Sequence, residues 1–344
     1  MARERIAKVS RMNPQHLIAL GIFLTFVLAI LAVDLFVLHR KPHEIKMKEA
    51  FLGTLLPICS ALIFTAAIYW AYETHFLGLG VLSGAEQAVP RYAANGKDAL
   101  LLFLTGYIIE LALSADNVFL FVVLITFFKV PRELQHRVLF WGVIGALVMR
   151  GIMIAAGVAL LAKFEWIIYL FGTFLIFAAI KILFTKHEKS DPSKSLAIRT
   201  LQKILPIKTG YEGKKFFTRD EKGVLVGTSL LMVLVCIEFT DLIFALDSIP
   251  AIFGITRDWF IIFTSNVFAI LGLRSMYFLL TGAMDRFHYL KLGLSVILAF
   301  VGIKMILPAV GYHIDAYISL SIIVSILTIS VTLSLLFPRR STAL

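Results

Sequence analysis

The sequence predicts an all-α polytopic membrane protein of about nine transmembrane helices, in which spans 3–5 and 6–8 form an inverted three-plus-three repeat. Three observations carry this. Hydrophobic residues make up 59% of the 344 and charged residues 16%, where soluble domains average roughly 45–50% and about 25%. Apolar runs of about 20 residues, enough to cross roughly 30 Å of hydrocarbon, recur along the chain. The middle of the chain also aligns on itself, one charged residue against another.

The expected spans are 16–38, 50–70, 98–128, 137–161, 165–184, 223–253, 259–280, 291–309 and 316–337, in a single transmembrane domain covering 1–344. The first follows Arg3, Arg5, Lys8 and Arg11 and so mimics a secretory leader. Its apolar stretch, Leu17 to Leu38, exceeds the roughly 7–15 residues of a leader core, so it reads as a span. Trp70, Trp141, Trp166 and Trp259 fall at span ends, where aromatic rings anchor at the membrane interface. Cys59 and Cys236 lie within apolar spans and read as small buried hydrophobes rather than a disulfide or a metal clip.

The long polar stretch 185–222 is basic and too poor in apolar residues to bury a core. Within it Pro192-Ser193 opens a segment with Ile198, Leu201 and Leu205 on one face and Lys194, Arg199 and Lys203 on the other. That pattern suits a helix lying on the membrane surface, with a plain loop as the alternative.

Formal net charge is +11. Lys and Arg concentrate in the connections after odd-numbered spans, above all in 185–222, which marks those connections and the C-terminus as cytoplasmic and the N-terminus as external. The basic N-tail opposes that assignment. Anionic lipid headgroups at the cytoplasmic face are the partner such charge implies, not nucleic acid. No nucleotide-binding loop is present, so nothing in the chain couples it directly to ATP.

The repeat is read from charged anchors. Glu110-Leu-Ala-Leu-Ser114-Ala-Asp116-Asn117 aligns without gaps onto Asp241-Leu-Ile-Phe-Ala245-Leu-Asp247-Ser248. Arg150 then matches Arg274 and Lys181 matches Lys304, with 31 residues from arginine to lysine in one copy and 30 in the other. Repeat 1 therefore covers 98–184 and repeat 2 covers 223–309, separated by the basic loop 185–222. Three spans per copy is odd, so the second copy crosses the membrane in the opposite sense, an architecture of many secondary transporters.

Glu110, Asp116, Glu238, Asp241 and Asp247 place five acids within two spans. Each costs at least about 2.5–3.5 kcal/mol in hydrocarbon, so each calls for a partner. A salt-bridge network with Arg150 and Arg274 that only fixes packing is one reading; five acids against two arginines leave negative charge for a cation. Acids six residues apart on a straight helix differ by about 9 Å along its axis, so breaks are expected at Ser114–Asn117 and at Asp247–Pro250, where Pro250 lacks an N–H. Carboxylates with Asn117, Ser114, Ser248 and freed carbonyls would make an oxygen-rich cage for a hard divalent cation such as Mg²⁺, Ca²⁺ or Mn²⁺. Asn266 is either an interhelical hydrogen bond or a further ligand. Asp34 either serves transport or snorkels to water. Gly142, Gly145 and Gly151 read as close-packing positions. Each arginine either holds a carboxylate poised between proton and metal or forms a static bridge.

At these residues the chain resembles the TerC/Alx family of bacterial integral membrane proteins. The segments are Glu110-x3-Ser114-x-Asp116-Asn117, Glu238-x2-Asp241-x2-Phe-Ala-Leu-Asp247-Ser-Ile-Pro250-Ala and Thr264-Ser-Asn266-Val-Phe-Ala-Ile-Leu-Gly-Leu-Arg274. The resemblance covers nearly the whole chain from Asp34 to span 9. It implies an inner-membrane exporter of manganese, with an older association with tellurite resistance, and makes the motif acids metal ligands or proton carriers. The expected function is a secondary transporter exchanging Mn²⁺ for protons, with no resident cofactor and no enzymatic activity. The alternatives are efflux of another small solute, such as a cationic amino acid or an oxyanion, an intramembrane metal-dependent hydrolase, and a structural or stress-sensing scaffold. The surplus of acids disfavours an oxyanion, and the absence of His from the motif spans disfavours the hydrolase.

Overall fold

Nine long helices and one small hairpin follow each other in the computed structural model, which describes residues 14–33, 47–82, 92–164, 166–184, 206–208, 210–219, 223–280 and 289–337. The helices are α1 (Pro14–Val33), α2 (Met47–Glu73), α3 (Gly96–Phe127), α4 (Arg132–Lys163), α5 (Ile167–Phe184), α6 (Ser229–Ile255), α7 (Trp259–Leu280), α8 (Leu290–Ile306) and α9 (Ala316–Leu336). Each occupies one expected span. Among the described residues, eight helices are long and apolar enough to cross a membrane by length and composition. Helices suit that setting because, without water, every backbone N–H and C=O must find its partner inside the segment.

The distribution of side chains is turned outward relative to a soluble protein. Ile63 is 73% exposed, Phe177 63% and Ile152 65%, whereas Glu110, Arg150, Asp241 and Asn266 are buried. Apolar surface of that kind is stable only against lipid, and the polar residues have been gathered where the helices meet.

Helix α7 packs against α2, α3 and α4, α6 packs against α3, α4 and α5, and α5 packs against α8. The α5–α8 approach is backbone to backbone: a Cβ on Gly172 would lie 2.8 Å from the Gly302 carbonyl, and one on Gly302 would lie 2.7 Å from the Gly172 carbonyl. Small residues at such crossings are how membrane helices gain van der Waals contact without a hydrophobic driving force. Elsewhere aromatic rings fill the gaps. Phe64 and Phe268 lie 4.8 Å apart between centroids, with Phe23 and Phe103 around them, tying α1, α2, α3 and α7 together.

Two expectations need correction or placement. The motif helices are not broken: α3 runs through Ser114–Asn117 and α6 runs through Pro250. A proline removes one N–H, and neighbouring helices hold the rest of the ladder in register. The expected surface segment 192–206 lies almost wholly outside the described residues, as does Asp34. The end of the polar connection, however, carries the hairpin β1 (Phe217–Arg219) and β2 (Leu225–Gly227), paired antiparallel with Thr218 opposite Val226. The hairpin region is pinned to helix ends: the Tyr211 hydroxyl donates to the Phe128 carbonyl at 2.7 Å, and the Arg137 guanidinium sits 5.3 Å over the Phe216 ring. The end of α3 and the starts of α4 and α6 therefore share one face of the molecule.

Candidate cation site

Four helices each send polar side chains to one buried point, and Arg150 stands at its centre. The arginine lies midway along α4, with 1% of its side chain exposed. Its Nε donates to Oδ2 of Asp241 at 3.2 Å and its Nη2 to Oδ1 at 3.0 Å, the two-pronged grip a planar guanidinium makes on a carboxylate. Its Nη1 donates to Oδ1 of Asn266 at 2.9 Å and to Oγ of Ser248 at 3.4 Å, and forms an ion pair with Glu110. Asn266 closes the ring by donating from Nδ2 to Oε2 of Glu110 at 3.3 Å. Glu110 comes from α3, Arg150 from α4, Asp241 and Ser248 from α6, and Asn266 from α7.

The convergence explains why no helix break is required. Two acids six residues apart on one straight helix are separated by about 9 Å along its axis. In the structure the leading acids of the two motifs, Glu110 and Asp241, are joined through Arg150, each brought by its own helix. Asp241 and Ser248, two turns apart on α6, face the same way because seven residues are close to two helical turns. Ser114, one turn beyond Glu110 on α3, is fully buried and its hydroxyl has no hydrogen-bond partner among the described residues. Asn117 is buried on the same helix. The side chains of Asp116, Asp247 and Arg274 lie outside the described residues, so the structure brings together Glu110, Arg150, Asp241, Ser248 and Asn266 from the expected set.

Charge at this point is not balanced. Two carboxyl groups, Glu110 and Asp241, face one guanidinium, so with both ionised one negative charge is left over. Among the described residues no three acidic, histidine or cysteine side chains stand close enough to hold a metal ion. The guanidinium lies between the carboxylates and takes the place a cation would need.

A third buried acid, apart from this site, carries no motif in the sequence. Asp258, in the short turn between α6 and α7, starts α7 by accepting from the N–H groups of Phe260 at 3.1 Å and Ile261 at 3.3 Å. Its sequence signal is that of an N-cap, an acid just ahead of an apolar helix. Burial pushes its carboxyl up to about 6, partly opposed by Tyr72 and the helix N–H groups, with His16 also nearby. Because the folded value exceeds the unfolded one, this group's contribution to stability is fully present below about pH 4 and is lost as pH rises through 6, by about 3 kcal/mol at most. Thermal denaturation of the detergent-solubilised protein should show this fall, and Asp258→Asn should flatten it while keeping the cap. An equal pH dependence in the variant would assign the fall to another group.

Comparison with known proteins agrees with the fold. The family described as "Integral membrane protein TerC family" matches residues 95–342. The chain is similar to the "Uncharacterized membrane protein STKORF319" of Myxococcus xanthus, at 44% identity over 93% of this chain and 92% of that protein. It is also similar to proteins named "Putative membrane-bound redox modulator Alx". That of Salmonella typhi is 44% identical over 91% of this chain and 92% of its own length, and that of Escherichia coli K12 is 42% identical over 90% and 92%. No solved structure matches the chain.

Proposed function

The chain belongs to the TerC family of integral membrane proteins, and from that premise we propose that it is a secondary transporter exporting a divalent cation, Mn²⁺ foremost, in exchange for protons. One observation carries the reading. A buried guanidinium is held by two acids from two helices, so one positive charge faces two carboxylates, with the buried Ser114 hydroxyl one turn from Glu110 on the same helix. Arg150 acts there as a tethered cation. When the site is empty it offsets one of the two charges on Glu110 and Asp241; when cargo arrives the acids, with the Ser114, Ser248 and Asn266 oxygens, exchange the guanidinium for the metal. Protons serve the same purpose on the return step, which couples cargo to a proton gradient without ATP.

The helix pairing supports two interlocked halves. Exchanging spans 3–5 with 6–8 turns the α3–α7 pair into α6–α4 and the α5–α8 pair into itself. Hard oxygen ligands without His or Cys favour Mn²⁺, Mg²⁺ or Ca²⁺ over softer metals. A dithiol redox centre is less favoured, because Cys59 on α2 is exposed whereas Cys236 on α6 is buried. Efflux of another small solute and metal-dependent hydrolysis have no comparable observation behind them.

Uptake of Mn²⁺, Mg²⁺ and Ca²⁺ into inverted membrane vesicles, with and without a proton gradient, tests the proposal. Mn²⁺ accumulation that rises with the gradient is expected; absence of uptake for all three cations would overturn it. The orientation is tested separately. The basic loop 185–222 is assigned to the cytoplasm of a bacterial inner membrane, against anionic lipid, and the connection 311–315 to the outside, with the N-terminus out and the C-terminus in. Single cysteines at Ser193 and His313 should label from opposite sides. Labelling of both from outside would contradict the nine-span topology.

A further inference from the structure

Among the described motif acids, Glu238 differs from Glu110 and Asp241 in being only partly buried, and no described residue hydrogen-bonds or ion-pairs with it. It lies on α6 three residues before Asp241, one turn nearer to Ser229. The starts of α4 and α6 lie together beneath the hairpin that ends the basic loop. Glu238 is therefore displaced from Arg150 toward the face that the charge pattern assigns to the cytoplasm.

Its carboxylate has a seat on α4. A Cβ at Gly145 would overlap both oxygens and the carboxyl carbon of Glu238. The two neighbouring glycines of α4 differ: Gly142 meets Ile237 at 3.2 Å and Gly151 meets Phe263 at 3.3 Å, which are apolar packing contacts. Of these three glycines, Gly145 is the one that makes room for a charge. Any side chain there would drive the carboxylate away, and the far end of a flexible glutamate yields more readily than a packed helix.

We infer that Gly145 is a positioning residue, seating the Glu238 carboxylate as the first acid a divalent cation meets between the cytoplasmic face and the Arg150-held pair. This rests on the transport reading above. Loading at Glu238 puts the cation one helical turn from Asp241, and its charge then competes with the guanidinium for that carboxylate. A residue acting in loading governs cation capture, not the steps that follow.

The test is the initial rate of Mn²⁺ uptake into inverted vesicles bearing the full chain, measured against Mn²⁺ concentration. Gly145→Ala should raise KM by about tenfold and leave the maximal rate within about twofold. Glu238→Gln, which changes no volume, should raise KM to a similar extent. In a Glu238→Asp background the carboxylate is one methylene shorter and clear of the added methyl, so Gly145→Ala should add little. An unchanged KM in Glu238→Gln overturns the inference, whatever becomes of the alanine variant. So does a tenfold penalty from Gly145→Ala that persists undiminished in the Glu238→Asp background, since packing alone would then explain it. A wild-type chain that carries no divalent cation overturns the transport reading and this inference together; an active wild type with unaffected variants overturns this inference alone.

Discussion

Arg150→Gln destabilises the cation-free protein by about 3–5 kcal/mol, the usual consequence of removing one partner from a buried ion pair, and Mn²⁺ restores most of the loss. Glutamine preserves some hydrogen bonding to Asn266 and Ser248 but leaves Glu110 and Asp241 facing each other without a counter-charge. If the guanidinium is a tethered stand-in for cargo, a divalent ion can replace it. The variant's melting temperature in detergent should then rise steeply with Mn²⁺ concentration, well beyond the rise for wild type. Acid pH, by protonating the carboxylates, should recover part of the same loss. Transport should fail nonetheless, because nothing remains to dislodge the metal. If Arg150 is only a static bridge between α4 and α6, Mn²⁺ leaves the variant as unstable as before.

Asp241→Asn abolishes cation transport while the protein still inserts and folds. The amide keeps the volume of the carboxylate and can still accept from Arg150, so the arginine retains Glu110 and Asn266 as well. What disappears is one full negative charge at a buried site. Taking a charged acceptor from such a site costs about 2–5 kcal/mol, so at about 1.4 kcal/mol per decade the cation binds at least about thirtyfold more weakly. Glu110→Gln should behave alike, because the two acids occupy matching places in the two motifs. Flux measured per folded chain separates this from loss of expression. Near-normal flux in both variants would remove the acids from the transport path.

Much of this was legible in the sequence, for physical reasons that differ by residue. Helix positions follow from hydropathy, since hydrocarbon leaves a span little choice of backbone. Glu110, Asp241 and Arg150 were visible because charge within an apolar run is costly and cannot be incidental. Their mutual geometry was not visible. A one-dimensional pattern suggests pairing the acids of one motif, Glu110 with Asp116, whereas helix crossing pairs Glu110 with Asp241. The breaks expected at Ser114–Asn117 and Pro250 would have let acids of one motif reach each other, but both helices run through unbroken. Gly145 looked like Gly142 and Gly151, because a glycine in a sequence does not reveal which atom occupies the space it leaves. Asp258 was hidden for a similar reason: an acid at a helix start is ordinary, and only the surrounding α1 and α2 bury it.

The central claim is that acids from both halves of the chain form one cation site, filled by Arg150 when cargo is absent. Counting bound Mn²⁺ in the purified protein tests this most directly, by following the paramagnetic resonance of free Mn²⁺ during titration of the wild type, Glu110→Gln and Asp241→Asn. The account predicts one tightly bound Mn²⁺ per wild-type chain and its loss in each single variant, since neither half completes the site alone. One tight Mn²⁺ per chain retained in both variants would contradict it.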